Sequence, residues 1–441
     1  MTLRLAWYGD DFTGATDTLR VAAEAGLRSL LFMDIPNDAQ LASAGPLDAL
    51  GIAGAARTMS PSQMETELTR VGQFFRHINT PVIHYKCCST FDSSPAIGSI
   101  GIAAQVLGTW VDNPLIIMIG GQPDIGRYCC FGNLYASAGA GGQVYRLDRH
   151  PTMSRHPVTP MAEADVRRPR ARQGLTTIDS IGYPEYWKAE ALDCIVNAPA
   201  ESKSEKRYLL FDVADTAHLA PAGRQIDRQS RHGPLLTIGS SVVVQALAAW
   251  WSQVACREGV APEDMVASPG VEARDGPIFV LAGSMSPVTA RQVSEADSYH
   301  RIPLCAVRLL GEPQYVETQL ARIARMLHAH RHVLAYVENG DRLAVDPAQL
   351  ALATAGLIRR VVVTQADNGS PLRRLGVAGG DTSSLAAKAL DIWALSYADV
   401  LGPGVTLCRA HSDDARLDGL QIMLKGGQMG GDDIFERLLR A

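Results

Sequence analysis

Ten residues near the C-terminal end, Leu375 to Ser384, read LGVAGGDTSS and constrain the fold more than any other stretch. A short apolar run, Leu375 to Ala378, ends in two glycines, followed by an acid, a threonine and two serines. AAKALDIWAL comes next, with Ala386, Leu390, Trp393 and Ala394 at helical spacing. A strand, a glycine turn and a helix start together make an anion site. Unpaired N–H groups point outward there, and the macrodipole adds roughly half a positive charge. Gly379 and Gly380 let a phosphate approach the backbone with no Cβ in the way, and Thr382 or Ser383 is expected to cap the helix. An ordinary capped turn would look much the same, and the Walker spacing G-x-x-x-x-G-K-[ST] is not met here. The rest of the chain has to decide.

The same pattern recurs from the first residues onward, which is α/β alternation. Leu3 to Tyr8 is apolar and runs into GDDFTGATD, then a helix carrying Leu19, Val21, Ala22 and Ala25 and closed by Gly26. Leu27 to Met33 reads as the next strand and Pro61 to Ile78 as a helix. Val82 to Cys87 is a strand with Lys86 near its end. It opens into CSTFDSSPAIGSIG and a helix from about Ile97 to Leu107. Pro114 to Ile119, Tyr208 to Val213 and Leu235 to Gly239 are further strands, the last followed by a helix from Ser240 to Cys256.

Arg257 to Pro277 is rich in proline, glycine and acids and has no periodicity, so it reads as a boundary. The expected division is an N-terminal domain over 1–256, a linker over 257–276 and a C-terminal domain over 277–441. The second half restarts with Ile278 to Leu281 entering AGSMSPVTARQV. Strands are expected at Leu304 to Leu309, Val333 to Val337 and Val361 to Thr364, and helices at Glu317 to His330 and Ala348 to Leu357. Last comes GLQIMLKGGQMGGDDIFERLL, a strand ending at Lys425 before a second glycine cluster and a terminal helix.

With 441 residues, the chain exceeds one ordinary core. A net charge of -5 gives no global basic field for nucleic acid or an anionic membrane, so an anionic ligand must be held locally. No apolar run approaches the roughly 20 residues of a membrane span. MTLRLAWYGDD meets acids at once, unlike a signal peptide. The 8 cysteines contain no C-x-x-C, which fits a reduced, cytoplasmic protein.

Three loops then carry candidate chemistry. Asp10 and Asp11, with Asp17, can orient a polyol, accept a proton or hold Mg²⁺ through water; the plainer reading is a capped helix with Asp17 on its solvated face. Lys86 at a strand end, followed by Ser89, Thr90 and Asp92, suits an anionic, hydroxylated substrate; the plainer reading has Ser93 as a helix cap and Lys86 exposed. Arg127 can clamp a carboxylate, and the segment with Arg146, Arg149, His150, Arg155 and His156 offers further positive charge, or is simply a solvated loop. In the second half, Ser284, Ser286 and Thr289 can cap a helix or touch a nucleotide.

Taken together, GDDFTGATD (9–17), the K-x-C-S-T-F-D-S-S-P block (86–95), RHPTMSRHPVTPM (149–161), AGSMSPVTARQV (282–293), GGDTSS (379–384) and LKGGQMGGDDIF (424–435) resemble the four-carbon acid sugar kinase family. The resemblance spans almost the whole chain. It implies two α/β domains with the active site in the cleft between them, an acid sugar on the N-terminal domain and ATP with Mg²⁺ on the C-terminal one. Asp10 and Asp11 fall to catalysis, and Lys86, Ser89, Asp92, Arg127 and Arg155 to the acid sugar. Ser284, Ser286, Gly379, Gly380, Asp381, Thr382, Gly426 and Gly427 fall to the nucleotide. No residue is assigned as a metal ligand, although Asp381 can reach Mg²⁺ through water. The partners implied are small molecules, with a homodimer possible. CSTFDSSPAIGSIG departs from the C-S-T-F-D-S-T-P-E-G-N-I-G of many 3-oxo-tetronate-selective members. The start WYGDD and the LKGGQMG segment differ as well, favouring a related acid sugar such as branched 3-oxo-isoapionate. Two rivals are a non-catalytic sensor of sugar acids and a dinucleotide-dependent oxidoreductase. Against the second, no G-x-G-x-x-G follows the first strand.

Overall fold

The computed structural model describes residues 3–139, 141–155, 160–198, 206–257, 275–284, 286–338 and 345–441, with only the backbone of Asp381. Most of the expected linker, 258–274, lies outside the described residues, as does His156. The described strands in chain order are β1 (Leu5–Gly9), β2 (Ser29–Phe32), β3 (Ala49–Ala53), β4 (Val82–Lys86), β5 (Leu115–Gly120), β6 (Arg127–Cys130), β7 (Asn133–Ser137), β8 (Val144–Arg146), β9 (Ile178–Ile181), β10 (Arg207–Asp212) and β11 (Leu235–Gly239). They continue as β12 (Ile278–Ala282), β13 (His300–Leu304), β14 (Val333–Val337), β15 (Arg374–Ala378), β16 (Ile392–Gly402), β17 (Val405–Ser412) and β18 (Gln421–Lys425). The chain divides into two compact units, Met1–Ser29 with Ser43–Ala267, and Leu30–Ala42 with Ser268–Ala441.

In the first unit the strands run β3-β1-β4-β11-β5-β10-β9, all parallel, beside a small antiparallel sheet β6-β7-β8. Strands covered by helices on both faces read as unbroken apolar runs, and β1, β4, β5 and β11 are buried throughout. The helix Pro61–His77 shows how a face is fixed. Ser60 and Gln63 form a capping box, and Met64, Leu68, Val71 and Phe75 are buried at helical spacing. Each such side chain contributes about 1.5–3 kcal/mol on burial. From β1 the chain goes to β3 on one side and then to β4 on the other. The order therefore reverses at β1/β4, where open α/β sheets bind ligands at the carboxyl ends of strands.

The second unit orders its strands β13-β14-β12-β15-β18-β17-β16-β2, the first five parallel and the rest antiparallel. Its reversal falls between β12 and β15. Residues 30–42 belong here: Leu31 and Phe32 pair antiparallel with Leu395 and Ala394. The terminal helix Ile434–Arg440 buries Ile434, Phe435 and Leu438, and Arg374 Nη1 donates to the Leu438 carbonyl at 2.8 Å.

Three sequence expectations change. β13 ends at Leu304, and Ala306–Gly311 is a helix rather than the continuation of a strand to Leu309. Val361 to Thr364 lies inside the long helix Pro347–Asp367, with Val361 and Val362 buried on its apolar face. A run of four apolar or β-branched residues fits either element. The helix after Gly379 stops at Ala389, Asp391 turns the chain at φ 50°, and Trp393 and Ala394 belong to β16. No described helix is long and apolar enough to cross a membrane.

Candidate active site

At the β1/β4 reversal, parallel pairing places Gly9 beside both Ala53 and Lys86. The loops leaving β1, β3 and β4 therefore meet. Arg57, on the short turn after β3, donates from Nη2 to Asp10 Oδ1 at 2.8 Å and from Nε to Asp10 Oδ2 at 3.3 Å. Its Nη1 lies 2.9 Å from Asp11 Oδ2, and Lys86 Nζ lies 3.7 Å from Asp11 Oδ1. Asp11 also caps the helix Phe12–Glu24, its Oδ1 accepting from the Gly14 N–H at 2.9 Å. Capping and ion pairing thus coexist on one carboxylate.

The two acids differ in environment. The Asp10 side chain is 5 % exposed and that of Asp11 is 29 %. Burial pushes Asp10 above its ordinary pKa, and the Arg57 charge returns only part of that rise. Burial also acts upward on Asp11, but Arg57, Lys86 and the Gly14 N–H together hold it below the usual carboxylate value. Burial would lower Lys86, and Asp11 and Asp10 more than offset it, so Lys86 stays charged. Lys86 is buried, contrary to the plainer reading. Asp17 is not on a solvated face either: it accepts from Ser241, Gln122 and Arg20.

Gly14 is needed for this packing, because a Cβ there would stand 1.7 Å from Lys86 Nζ. The obstructed atoms are the ends of two side chains, Lys86 and Asp11, whose Oδ1 would stand at 2.5 Å, so the fold can survive a methyl group while neither side chain can stay in place. Because Lys86 and Asp11 both shift, Gly14→Ala is expected to raise KM for the acid sugar that the resemblance implies by about ten-fold or more and to lower kcat as well, with stability reduced by no more than the loss of a helix cap, about 1 kcal/mol. An unchanged KM would remove Lys86 from substrate binding.

The loop after β4 is held by its own polar groups. Thr90 Oγ1 donates to the buried Asp92 at 2.8 Å and lies 3.0 Å from Cys88 Sγ. Phe91 sits at φ 54°, unusual for an aromatic residue, and the fully buried Arg170 donates to its carbonyl at 2.7 Å. Ser89 is half-buried in the turn. The helix cap proves to be Ser99, with the helix beginning at Ile100 rather than Ile97. Burial raises the Cys88 thiol to about 11, with Asp92 acting in the same direction and Arg57 and Lys86 against it, and burial lowers Arg127. Arg127 Nη1 donates to the carbonyls of Ile125, Gly126 and Ser137 at 3.3–3.4 Å, whereas its buried Nε has no partner. Arg155 is exposed, and no described contact joins it to the cluster. His150 is buried with Nε2 against the Ser137 carbonyl, a structural role.

His84, two residues before Lys86 on β4, is fully buried with Nε2 unpartnered and Nδ1 3.3 Å from the Thr237 carbonyl. Burial lowers its pKa to about 3. The unfolded chain therefore binds more protons than the folded one between pH 6.5 and 3. This group's stability is complete above the unfolded value and is lost as pH falls, by about 1.4 kcal/mol per unit. Urea unfolding at pH 7.5 and 5.0 should show a shallower acid slope for His84→Gln than for the wild type. Equal slopes would contradict it.

In the second unit the loops after β12, β15 and β18 interlock at their carboxyl ends. Gly283 and Ser284 donate backbone N–H groups to the Ala378 carbonyl at 2.9 and 2.8 Å, and Gly379 donates to Lys425 O at 2.9 Å. Ser286 caps the helix Pro287–Ser294, accepting from Thr289 N at 3.1 Å, and donates its hydroxyl to the Gly427 carbonyl. Thr289 Oγ1 donates to the same carbonyl at 2.9 Å. A cavity of about 200 Å³ opens here, with Gly283, Ser284, Gly379, Gly380 and Thr382 on one side and Val345, Pro347, Leu350 and Ala351 on the other.

The sequence suggested Thr382 or Ser383 as the cap of the helix Gly380–Ala389. No described side chain caps it: Gly379 is the N-cap at φ 134°, and Ser383 Oγ turns inward to the Val377 and Lys425 carbonyls at 3.4 Å. The helices starting after Asp11, Ser60, Ser99, Ser286 and Asp346 all have side-chain caps. This uncapped N-terminus facing a cavity leaves N–H groups for an anion. Among the described residues no group of three or more His, Cys, Asp or Glu gathers as a metal centre. Mg²⁺ that arrives with a nucleotide keeps phosphate and water ligands and needs only one or two carboxylates, so the site is compatible with it.

Two residues here were not singled out from sequence. Arg57 lies in a featureless AARTM segment, and only the β1–β3 pairing signals its position. Lys425 ends a buried strand before glycines, the same signature that marked Lys86.

The fold and these sites define a two-unit α/β protein with an acid-and-cation site on one sheet and a glycine-lined anion site on the other. The chain belongs to the four-carbon acid sugar kinase family: residues 5–247 match the family model for a sugar-binding N-terminal domain, and residues 279–435 that for a nucleotide-binding C-terminal domain. It is 37% identical to a 3-oxo-isoapionate kinase of Paraburkholderia graminis, over 98% of this chain and 93% of that protein. It is 29% identical to a 3-oxo-tetronate kinase of Cupriavidus necator, over 99% and 96%. Its fold matches that of a Haemophilus influenzae protein of the DUF1537 family, with a TM-score of 0.72 at 21% identity and 99% coverage of both chains.

Proposed function

We propose that the protein is an ATP-dependent kinase that phosphorylates a hydroxyl of a small sugar acid, four-carbon or branched, in cytoplasmic catabolism of carbohydrate acids. The observation that carries this reading is that one unit holds an uncapped, glycine-lined helix N-terminus and the other the Asp10–Asp11–Arg57–Lys86 cluster, the first suited to phosphates and the second to a hydroxylated anion. Full-length similarity to named sugar-acid kinases supports the same reading, and the higher identity to the 3-oxo-isoapionate enzyme favours a branched acid.

In this account Lys86 and the unpartnered Nε of Arg127 bind the substrate carboxylate, with Ser89 and Asp92 toward its hydroxyls. Asp11 is anionic and partly exposed, so it accepts a hydrogen bond from the reacting hydroxyl; Asp10 is a positioning residue that holds Arg57. As the hydroxyl oxygen bonds to the γ-phosphorus, the bond to the β–γ bridging oxygen breaks, ADP leaves with the electron pair, and the hydroxyl proton passes to Asp11. Such transfer depends mainly on in-line positioning and charge stabilisation. Gly379, Gly380, Thr382, Gly426 and Gly427 receive the phosphates, Ser284 and Ser286 support them, and Asp381 is the candidate carboxylate for the Mg²⁺ that would enter with ATP.

The test is ADP release with Mg²⁺-ATP against D- and L-threonate, D- and L-erythronate, their 3-oxo forms and 3-oxo-isoapionate. One strong responder, expected to be 3-oxo-isoapionate, supports the proposal. Silence across the panel with ATP binding intact would favour the sensor reading.

A further inference from the structure

The first unit and the second each carry a lysine at the end of a buried strand, Lys86 on β4 and Lys425 on β18. Their surroundings differ in one decisive way. Lys86 has its counter-charge within the protein, in Asp11 and Asp10. Lys425 is fully buried, and among the described residues no carboxylate pairs with it. Among the described residues its Nζ reaches the Gly426 carbonyl at 3.1 Å and Thr289 Oγ1 at 3.4 Å, and one of its three donors finds no described partner. Burial disfavours the charged form of an ammonium group held this way unless an anion arrives.

The position indicates which anion. Lys425 pairs in register with Ala378, directly before Gly379, and its carbonyl accepts from the Gly379 N–H. It lies under the loops that frame the uncapped helix start, and its two hydrogen-bond partners are a glycine carbonyl and a hydroxyl. The geometry points to Lys425 as the residue that neutralises the nucleotide's phosphate chain, an inference that rests on the kinase reading. The helix N-terminus supplies dipoles and Lys425 the full charge. This divides the work of a Walker lysine and its loop between two separate strands.

Burial lowers the Lys425 pKa to about 8 in the free protein. Of the described charged side chains on the elements around it, Arg291 pairs with Asp432, Arg374 lies at the opposite end of β15, Arg409 is exposed on β17, and Lys388 is in the last turn of its helix; the Asp381 side chain is outside the described residues. Binding of phosphates should therefore return the missing proton.

The experiment is calorimetric titration of the full chain and of Lys425→Met and Lys425→Arg with ATP, ADP, adenosine and 3-oxo-isoapionate. Lys425→Met is expected to weaken ATP and ADP by about 10–100-fold, the value of a hydrogen bond to a charged group. Adenosine and the sugar acid should be unaffected, and Lys425→Arg should recover part of the loss. Wild-type binding of ATP at pH 8, in two buffers of different ionisation enthalpy, should take up roughly half a proton; this readout stands even if Lys425→Met does not fold. Unchanged ATP affinity, an equal loss for adenosine, or no proton uptake would overturn the assignment. A wild type that binds no ATP at all would instead overturn the kinase reading.

Discussion

Asp11→Asn is expected to lower turnover by about 10²–10⁴-fold, with ATP affinity and melting temperature close to wild type. Asparagine is as good a helix cap as aspartate, so the Gly14 N–H keeps its acceptor and the helix Phe12–Glu24 its start. What disappears is the anionic charge that Arg57 and Lys86 maintain at neutral pH. Asp10→Asn should behave differently, because Asp10 is almost wholly buried and engaged by Arg57 on both oxygens. Its loss loosens Arg57 and should raise KM more than it lowers kcat. Full turnover in both variants would remove the acids from the mechanism.

Arg57→Met is expected to destabilise the protein by about 3–5 kcal/mol, the cost of leaving a buried charge unpaired. Asp10 would keep its burial without its partner, and its folded pKa would rise further above the unfolded value. The sign follows from that rise. The penalty is absent below the unfolded pKa, grows as pH rises toward the folded pKa and is complete above it. The variant should therefore lie closer to wild type at pH 5 than at pH 7.5 in urea unfolding. Adding Asp10→Asn should recover much of the loss, since the uncompensated charge is then gone. An Arg57→Met protein as stable as wild type at both pH values would mean that Asp10 is solvated or already neutral.

Local chemistry was the part of this molecule that could be read from sequence. Apolar runs ending in small or charged residues located β1, β4, β12, β15 and β18, and with them Asp10, Asp11, Lys86 and Gly379. Short strands without that ending were harder. Val361 to Thr364 has the composition of a strand and lies in a helix because its neighbours continue the apolar face for 21 residues. Arg57 has no motif, and its place depends on β3 pairing with β1, a contact some forty residues long in sequence. The pairing of β2 with β16 spans most of the chain and leaves no local trace. The missing cap at Gly379 could not be foreseen either, because Ser383 is a good cap residue whose hydroxyl turns to the Val377 and Lys425 carbonyls in the folded chain.

The most direct test of the kinase account follows the phosphate itself. The protein is incubated with γ-labelled ATP, Mg²⁺ and 3-oxo-isoapionate, and label is traced among ATP, the sugar acid and inorganic phosphate. The account predicts label on the acid, one equivalent for each ADP formed, and none without the acid. Label released only as inorganic phosphate, or retained in ATP while both ligands are bound, would contradict it.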